Sequence, residues 1–251
     1  MIQCRKEEDG AVLRLVLDAP KGNILDAAMI DGVTTALDRE VDARVKLVVF
    51  EGAGKHFSFG ASVEEHKREA APKMLEKFHA LFRHLARLAV PTCALVRGQC
   101  LGGGLELASY CTFIVATTDA RLGQPEIKLA VFAPMASVLL PWRLGAGRAL
   151  DLCVSGRSIT AAEAKDMGLV SAVTDDPEAW IRALYAESLK PTSASSLRFA
   201  ERAARADLNQ RLERDLPAIE QLYLEDLMAT HDANEGIAAF LERRPASFKD
   251  A

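Results

Sequence analysis

Two glutamates, Glu106 and Glu126, are candidates for acid–base chemistry, because each lies in a loop that follows a predicted strand. Glu106 ends the segment RGQCLGGGLE at 97–106, and Glu126 ends LGQPE at 122–126. The stretch after Glu126, IKLAVFAPMASVLLP, is almost entirely apolar. A dry environment there would raise the pKa of a carboxyl group and suit it to proton transfer. The ordinary alternatives are a helix-end charge for Glu106 and a solvated turn residue for Glu126.

Two glycine-rich loops accompany these carboxylates. The first, at 52–62, follows a predicted strand, and the second places Gly102, Gly103 and Gly104 at the start of a helix. Consecutive glycines cost backbone entropy, but they let a ligand approach free N–H groups at the positive end of a helix. Close packing between helix and strand is the alternative explanation. Together, oxyanion donors and paired carboxylates are what adding water to an activated carbonyl compound requires.

The elements that must position these residues alternate between strand and helix. Short apolar segments predict strands at 12–17, 46–51, 92–96 and 112–116. Helical spacing of apolar residues predicts helices at 27–41 and 72–88, and almost pure helix after Pro191. The alternation predicts an α/β fold with a largely parallel sheet, divided into a core at 1–190 and a helical region at 191–251.

The composition argues against several kinds of partner and against a metal site. The chain has 251 residues, 31 basic and 35 acidic, and so a net charge of −4, which argues against a nucleic-acid partner. No apolar run is long enough to span a bilayer, so we expect no membrane partner. Five cysteines without a pattern predict reduced thiols and a cytoplasmic location. The five histidines show no metal-ligand spacing, so no metal site is expected.

One competing motif centres on Cys100. The segment GQCLG at 98–102 matches a nucleophile elbow with cysteine in place of serine. A hydrolase of that kind needs a histidine downstream, and His231, in the helical tail, is the only one. The simpler reading makes Cys100 a small buried residue.

The segments HFSFGAS, GQCLGGGLE and GQPEIKL resemble the signature loops of the crotonase (enoyl-CoA hydratase/isomerase) superfamily. The resemblance extends over about 12–249. It implies a spiral of ββα units, a C-terminal trimerisation region and a homotrimer or dimer of trimers. By position, Ala61 and Gly103 resemble the two backbone donors of the oxyanion hole, and Glu106 and Glu126 the two catalytic glutamates.

Departures from the common hydratase pattern indicate a particular class of substrate within the family. Ser62 stands where the family usually has aspartate, and VFAPMASVLLP replaces a glycine-rich stretch. With the C-terminal tail, these features are similar to family members that hydrate a cyclic dienoyl-CoA in anaerobic aromatic degradation. Phe132 and Met135, with Pro134 and Val138, suit a pocket for the ring. The alternatives are a general 2-enoyl-CoA hydratase or isomerase, a Cys100 hydrolase and a non-catalytic binding protein.

An acyl-CoA substrate brings phosphates to an acidic protein. The resemblance places Lys21 near the CoA and adds Phe59 as a contact for the substrate or CoA, and Phe240 is a candidate contact for the adenine. Arg243, Arg244 and Lys249 are further candidates for the phosphates. Because CoA is part of the substrate, no separate cofactor is expected.

Overall fold

The computed structural model describes all residues 1–251, and its strands form two sheets. The nine strands are β1 Ile2–Glu7, β2 Val12–Leu17, β3 Leu47–Gly52, β4 Thr92–Val96, β5 Gln99–Leu101, β6 Phe113–Ala116, β7 Arg121–Gly123, β8 Ser158–Thr160 and β9 Ala172–Val173. The larger sheet has the order β1-β2-β3-β4-β6-β9, and only β1 is antiparallel to its neighbour. The predicted parallel sheet is therefore confirmed, while β1 was not foreseen.

The helices pack around these sheets. They are α1 Pro20–Asn23, α2 Ala27–Glu40, α3 Ala71–Leu88, α4 Gly103–Tyr110, α5 Pro134–Leu144, α6 Ala146–Ser155, α7 Ala161–Asp166, α8 Pro177–Leu184, α9 Ala194–Ala204, α10 Ala206–Gln221 and α11 His231–Glu242. The helices predicted at 27–41 and 72–88 correspond to α2 and α3 within one residue at each end. No helix is both long and apolar enough to cross a membrane.

Helix α3 shows why these sequences adopt these elements. Its apolar residues recur at helical spacing, so one face is buried against the core while the lysines and arginines face outward. Phe78 and Phe82 meet edge to face with ring centroids 5.2 Å apart, and Phe82 meets Tyr110 of α4 in the same way at 5.4 Å. These contacts hold α3 against the start of α4, where the glycines lie.

The C-terminal helices cover one side of this core. Leu208, Leu212 and Leu216 of α10 belong to the same cluster of buried residues as the strands and α5. A smaller cluster joins α3 to the segment after α10, where Tyr223 and Met228 are fully buried. The C-terminal region is helical as expected, and its division from the core at 190/191 stays a prediction.

The smaller sheet brings the two candidate glutamates together. Strand β5 pairs in parallel with β7 in the register Leu101↔Gly123, and the N–H of Gly102 donates to the carbonyl of Gly123 at 2.9 Å. Glu106 lies one turn beyond the end of β5, and Glu126 lies three residues beyond the end of β7. Neighbouring parallel strands therefore deliver both side chains to one edge of the sheet.

Candidate active site

The two glycine-rich loops are fastened to each other through Ser58. This buried residue forms an isolated bridge with Cys100, and its carbonyl accepts the N–H of Leu101 at 3.0 Å. The Ser58 hydroxyl donates to the carbonyl of Asn23 at 2.8 Å and accepts the N–H of Gly60 at 3.0 Å. The backbone at 58–61 is thus held directly beside the start of α4.

Two backbone N–H groups in this region lie close together and remain free. A Cβ atom on Gly103 would lie 3.1 Å from the nitrogen of Ala61, and one on Gly60 would lie 3.2 Å from the nitrogen of Gly103. Neither the N–H of Ala61 nor that of Gly103 donates to another group of the chain. A pair of preorganised, unsatisfied amides is the arrangement that stabilises an oxyanion.

Gly102 lets the second glutamate approach this pair. Its φ is 52°, a backbone conformation that favours glycine, and a Cβ atom there would lie 2.5 Å from Oε1 of Glu126. A side chain at this position would therefore displace the carboxylate, so the glycine is required by both conformation and space.

Glu106 is the more firmly held of the two carboxylates. It is 5% exposed, and its Oε1 accepts the N–H of Ala136 at 2.6 Å, in the first turn of α5. Burial raises the pKa of Glu106 to about 8, the negative charge of Glu126 adds to this, and the hydrogen bond from Ala136 opposes it.

Glu126 is held loosely by comparison. It lies in the short turn Pro125–Leu129, and its Oε1 accepts only a long hydrogen bond, 3.3 Å, from the amide of Gln124. Its Oε2 is buried without any partner in the chain. Burial raises the pKa of Glu126 to about 7, so the two carboxyls titrate as a coupled pair near neutral pH.

Both carboxyls line one small cavity. The residues around it are Ala61, His66, Met74, Leu75, Phe78, His79, Gly103, Glu106, Glu126, Phe132, Ala133 and Pro134. The structure thus brings together the expected donors, both glutamates and Phe132. An oxyanion site, two proton-transfer groups and apolar walls make the cavity suited to adding water to a thioester-activated double bond.

The structure does not place Met135 and Val138, two of the predicted ring contacts, in the lining of this cavity, so their contact with the ring stays a prediction. Met135 is 1% exposed, both residues belong to the main core cluster, and neither lines the cavity. The reason is the helical period: α5 begins at Pro134, and residues three apart on it face the same way, toward the core. Phe132 precedes α5, so the helical period does not determine the direction of its side chain.

The candidates for CoA binding lie outside the cavity. Phe59 is 41% exposed and covers Gly22, next to Lys21, while its ring meets His56 at 4.9 Å. Phe240 is 56% exposed on α11. Lys21, Arg243 and Lys249 form no ion pair, whereas Arg244 is held by Glu235 and Glu242. Lys21, Arg243 and Lys249 are therefore free to bind phosphates. The CoA-binding roles of all these residues stay predictions.

The geometry does not favour Cys100 as a nucleophile. Its side chain is fully buried in the main core cluster, and burial raises the pKa of its thiol well above the ordinary value. Reactive cysteines have lowered pKa values and solvent access. His231, the partner that such chemistry would need, is instead paired with Asp232 on the surface.

Two histidines that line the cavity, His66 and His79, were not predicted from the sequence. His79 lies within the buried face of α3, between Phe78 and Phe82, and an amphipathic pattern alone does not distinguish a functional histidine from a packed one. No group of three histidine, cysteine, aspartate or glutamate side chains is arranged to hold a metal ion.

Comparison with known proteins agrees with this geometry. The chain is 49% identical over 245 residues, 97% of its length and 95% of the relative's, to cyclohexa-1,5-dienecarbonyl-CoA hydratase of Thauera aromatica. Its fold is similar to that of an enoyl-CoA hydratase from Mycobacterium avium subsp. paratuberculosis, with a TM-score of 0.85, 27% identity and coverage of 99% and 98% of the two chains. An enoyl-CoA hydratase from Mycobacterium avium gives a TM-score of 0.87 at 25% identity, with coverage of 98% and 97%.

The sequence model of one family, enoyl-CoA hydratase/isomerase, matches residues 7–251. With that match, the chain belongs to the enoyl-CoA hydratase/isomerase family.

Proposed function

We propose that this protein is an acyl-CoA hydratase that adds water to cyclohexa-1,5-diene-1-carbonyl-CoA, giving 6-hydroxycyclohex-1-ene-1-carbonyl-CoA in the anaerobic degradation of aromatic compounds. The observation that carries the proposal is one cavity in which two free amides face two carboxyls of raised pKa. The 49% identity to the Thauera aromatica enzyme supports the choice of a cyclic substrate.

The thioester oxygen binds between the N–H groups of Ala61 and Gly103. Water held by Glu106 and Glu126 attacks the ring carbon β to the thioester, and one carboxylate takes a proton from the water as the C–O bond forms. The electron pair moves into a dienolate whose oxygen the two amides stabilise. Because the amides are fixed before the substrate arrives, they need no reorganisation as this charge develops.

Protonation then occurs at the far end of the dienolate, across the ring from the new hydroxyl group. This 1,4-addition leaves a double bond conjugated with the thioester, which protonation at the α carbon would lose. The ring needs an apolar wall, and Phe132 supplies one, fixed edge to face against Tyr223 at 5.3 Å between ring centroids.

Three further properties belong to the proposal. Water addition changes no net oxidation state, so we expect no resident cofactor beyond the CoA of the substrate. Phe199 and Leu222, 68% and 51% exposed near the C-terminus, support assembly into a homotrimer or dimer of trimers, which light scattering will test. Five free cysteines support a cytoplasmic location.

The function is tested by incubating the pure protein with the cyclic dienoyl-CoA and with crotonyl-CoA in parallel and identifying the products by mass and NMR. We expect the cyclic substrate to gain one water and to have the higher kcat/KM. A clear preference for crotonyl-CoA would instead establish a general 2-enoyl-CoA hydratase. Turnover of neither would overturn the enzymatic role.

A further inference from the structure

A third proton-carrying side chain, His79, lines the same cavity as the two glutamates. It lies on α3 and is 1% exposed. Its Nδ1 forms a hydrogen bond with Oε1 of Glu220, which comes from α10, 141 residues later in the chain. Its Nε2 is buried and has no partner in the chain. A buried ring nitrogen without a partner is costly unless a ligand supplies one.

Glu220 determines which nitrogen faces the cavity. The hydrogen bond with His79 holds the pKa of the Glu220 carboxyl below its ordinary value, with Arg83 nearby adding to the effect, so this group is an acceptor. Nδ1 therefore carries a proton and donates it to Glu220, and Nε2 is the nitrogen left for the cavity. Orienting a histidine through its other ring nitrogen is a common device in catalytic sites.

The proposed reaction needs a proton at two separate places. Glu106 and Glu126 handle the water beside the oxyanion donors, but the dienolate is protonated across the ring from that point. In an ordinary enoyl thioester the corresponding proton goes to the carbon adjacent to the attacked one, where the same glutamates suffice. A cyclic dienoyl substrate therefore calls for a donor elsewhere on the cavity wall.

We propose that His79, oriented by Glu220, is the catalytic residue that delivers this second proton from Nε2; the assignment rests on the proposed function. In the reacting state both ring nitrogens of His79 carry a proton. The Nε2–H bond breaks as a C–H bond forms at the far end of the dienolate, whose electron pair makes the new bond, and a neutral ring with its proton on Nδ1 remains. The glutamate that took a proton from water then releases it to solvent, and His79 takes one up. One water is added, and the enzyme is unchanged.

The other groups facing the cavity do not fill this role. His66 also lines it, but its Nδ1 bonds to the carbonyl of Ser62, no carboxylate accompanies it, and burial lowers the pKa of its ring. Met74, Leu75 and Phe78, the neighbours of His79 on α3, are apolar. His79 is therefore the histidine of the cavity that has both an orienting carboxylate and an unpartnered nitrogen.

The test compares His79→Gln and Glu220→Gln with a matched control, His84→Gln. His84 lies on the same helix, is also largely buried beside a carboxylate, Asp38, and does not line the cavity. Each variant is checked for folding by thermal unfolding and assayed with the cyclic dienoyl-CoA and with crotonyl-CoA. The reaction is repeated in D₂O to locate the incorporated deuterium by NMR.

We expect His79→Gln to lower kcat on the cyclic substrate by about 10²–10⁴-fold, the usual contribution of a positioned acid, with a much smaller change on crotonyl-CoA. Glu220→Gln should give a loss in the same direction, and His84→Gln should stay within about threefold of wild type. Deuterium in the wild-type product should lie across the ring from the hydroxyl group.

The outcomes separate the two proposals. A wild-type enzyme inert toward the cyclic substrate overturns the proposed function and this assignment with it. An active wild type with an unaffected, folded His79→Gln overturns this assignment alone. So does a folded His79→Gln that loses both substrates equally, since that result indicates a structural role. If His79→Gln fails to fold, Glu220→Gln decides by the same criteria.

Discussion

The two segments that carry the carboxyls of this site are built differently. Glu106 projects from a regular helix and accepts a hydrogen bond of 2.6 Å from the start of α5, whereas Glu126 projects from a short turn and accepts only one of 3.3 Å from Gln124. Both line the same cavity as the two free amides. The difference teaches that the protein holds Glu106 firmly through one oxygen, while the weaker hydrogen bond of Glu126 leaves that side chain freer to adjust to substrate and water.

Both carboxyls act on a thioester that the free amides of Ala61 and Gly103 bind. Blocking these amides should therefore have the largest effect on turnover. In Gly103→Val the new Cβ would lie 3.1 Å from the nitrogen of Ala61 and 3.2 Å from the ring of Phe78. We expect turnover to be abolished, because the valine side chain occupies the space of the thioester in addition to removing access to one oxyanion donor, a loss that alone costs about 10²–10³-fold. Steady-state kinetics measures this. Gly147→Val, at a glycine with open space around it, is the control, and a fully active Gly103→Val would show that no thioester passes there.

The next largest effects should come from the carboxyls themselves. Glu106→Gln and Glu126→Gln keep the side-chain shape, and each should lower kcat by about 10²–10⁴-fold. Because Glu126 is held by the longer hydrogen bond, its variant should also bind substrate differently, whereas Glu106→Gln should change kcat alone. Glu187→Gln on the surface should be neutral. Near-normal turnover in either site variant would make that residue structural and the paired mechanism wrong.

The environment of the pair predicts a pH dependence of stability. Unfolded glutamates titrate near pH 4.3, whereas the pKa values of Glu106 and Glu126 are raised to about 8 and about 7 in the folded chain. Between these limits the folded state binds more protons, so the free energy of unfolding should fall as pH rises from about 4.5 to 8. Denaturant unfolding across this range measures it.

The variant Glu126→Gln tests whether the two carboxyls influence each other's pKa. Glu126→Gln removes the charge that helps to raise the pKa of Glu106, so the remaining fall in stability should shrink and shift to lower pH. An identical pH profile in wild type and Glu126→Gln would contradict the coupling.

A smaller effect is expected at the apolar wall. Phe132→Ala should cost the cyclic substrate about 1–3 kcal/mol in kcat/KM through lost packing, and a short linear enoyl-CoA much less. The comparison of kcat/KM for the two substrates decides, with Phe248→Ala on the surface as control. Equal losses would show that Phe132 supports the fold and not the ring.

The smallest effect is expected at Cys100. The residue contributes only size to the packing beneath the second glycine-rich loop, so Cys100→Ala should retain most activity. Kinetics and thiol labelling measure this. Complete loss of activity in a folded variant, together with an adduct trapped on the wild-type thiol, would favour a cysteine hydrolase.

The elements that could be predicted from sequence are those whose own composition determines them. Strands β2, β3 and β4 are buried along almost their whole length, so their sequences are mostly apolar and give a strong local signal. Strand β1 was missed because it is an edge strand with polar, partly exposed residues. Strands β5, β7 and β8 have three residues each and depend on pairing with one another, which leaves little local signal.

The same distinction applies to the site: features with a local sequence pattern could be predicted. The two glutamates and the two glycine-rich loops at strand ends are such features, and they lie together in the structure. Met135 could not be placed from the sequence, because the position at which α5 begins determines which residues face inward. The pair of His79 and Glu220 gave no signal, because its members are 141 residues apart and meet only when α10 packs near α3.

The central claim is that both carboxyls act together on one bound thioester, and the double variant tests it most directly. Steady-state kcat should be measured for Glu106→Gln, Glu126→Gln and the double substitution with the cyclic dienoyl-CoA. Residues that act as a unit are strongly non-additive, so the double variant should be about as slow as the slower single variant. Losses that multiply would contradict the account, because they would mean that the two carboxyls contribute independently.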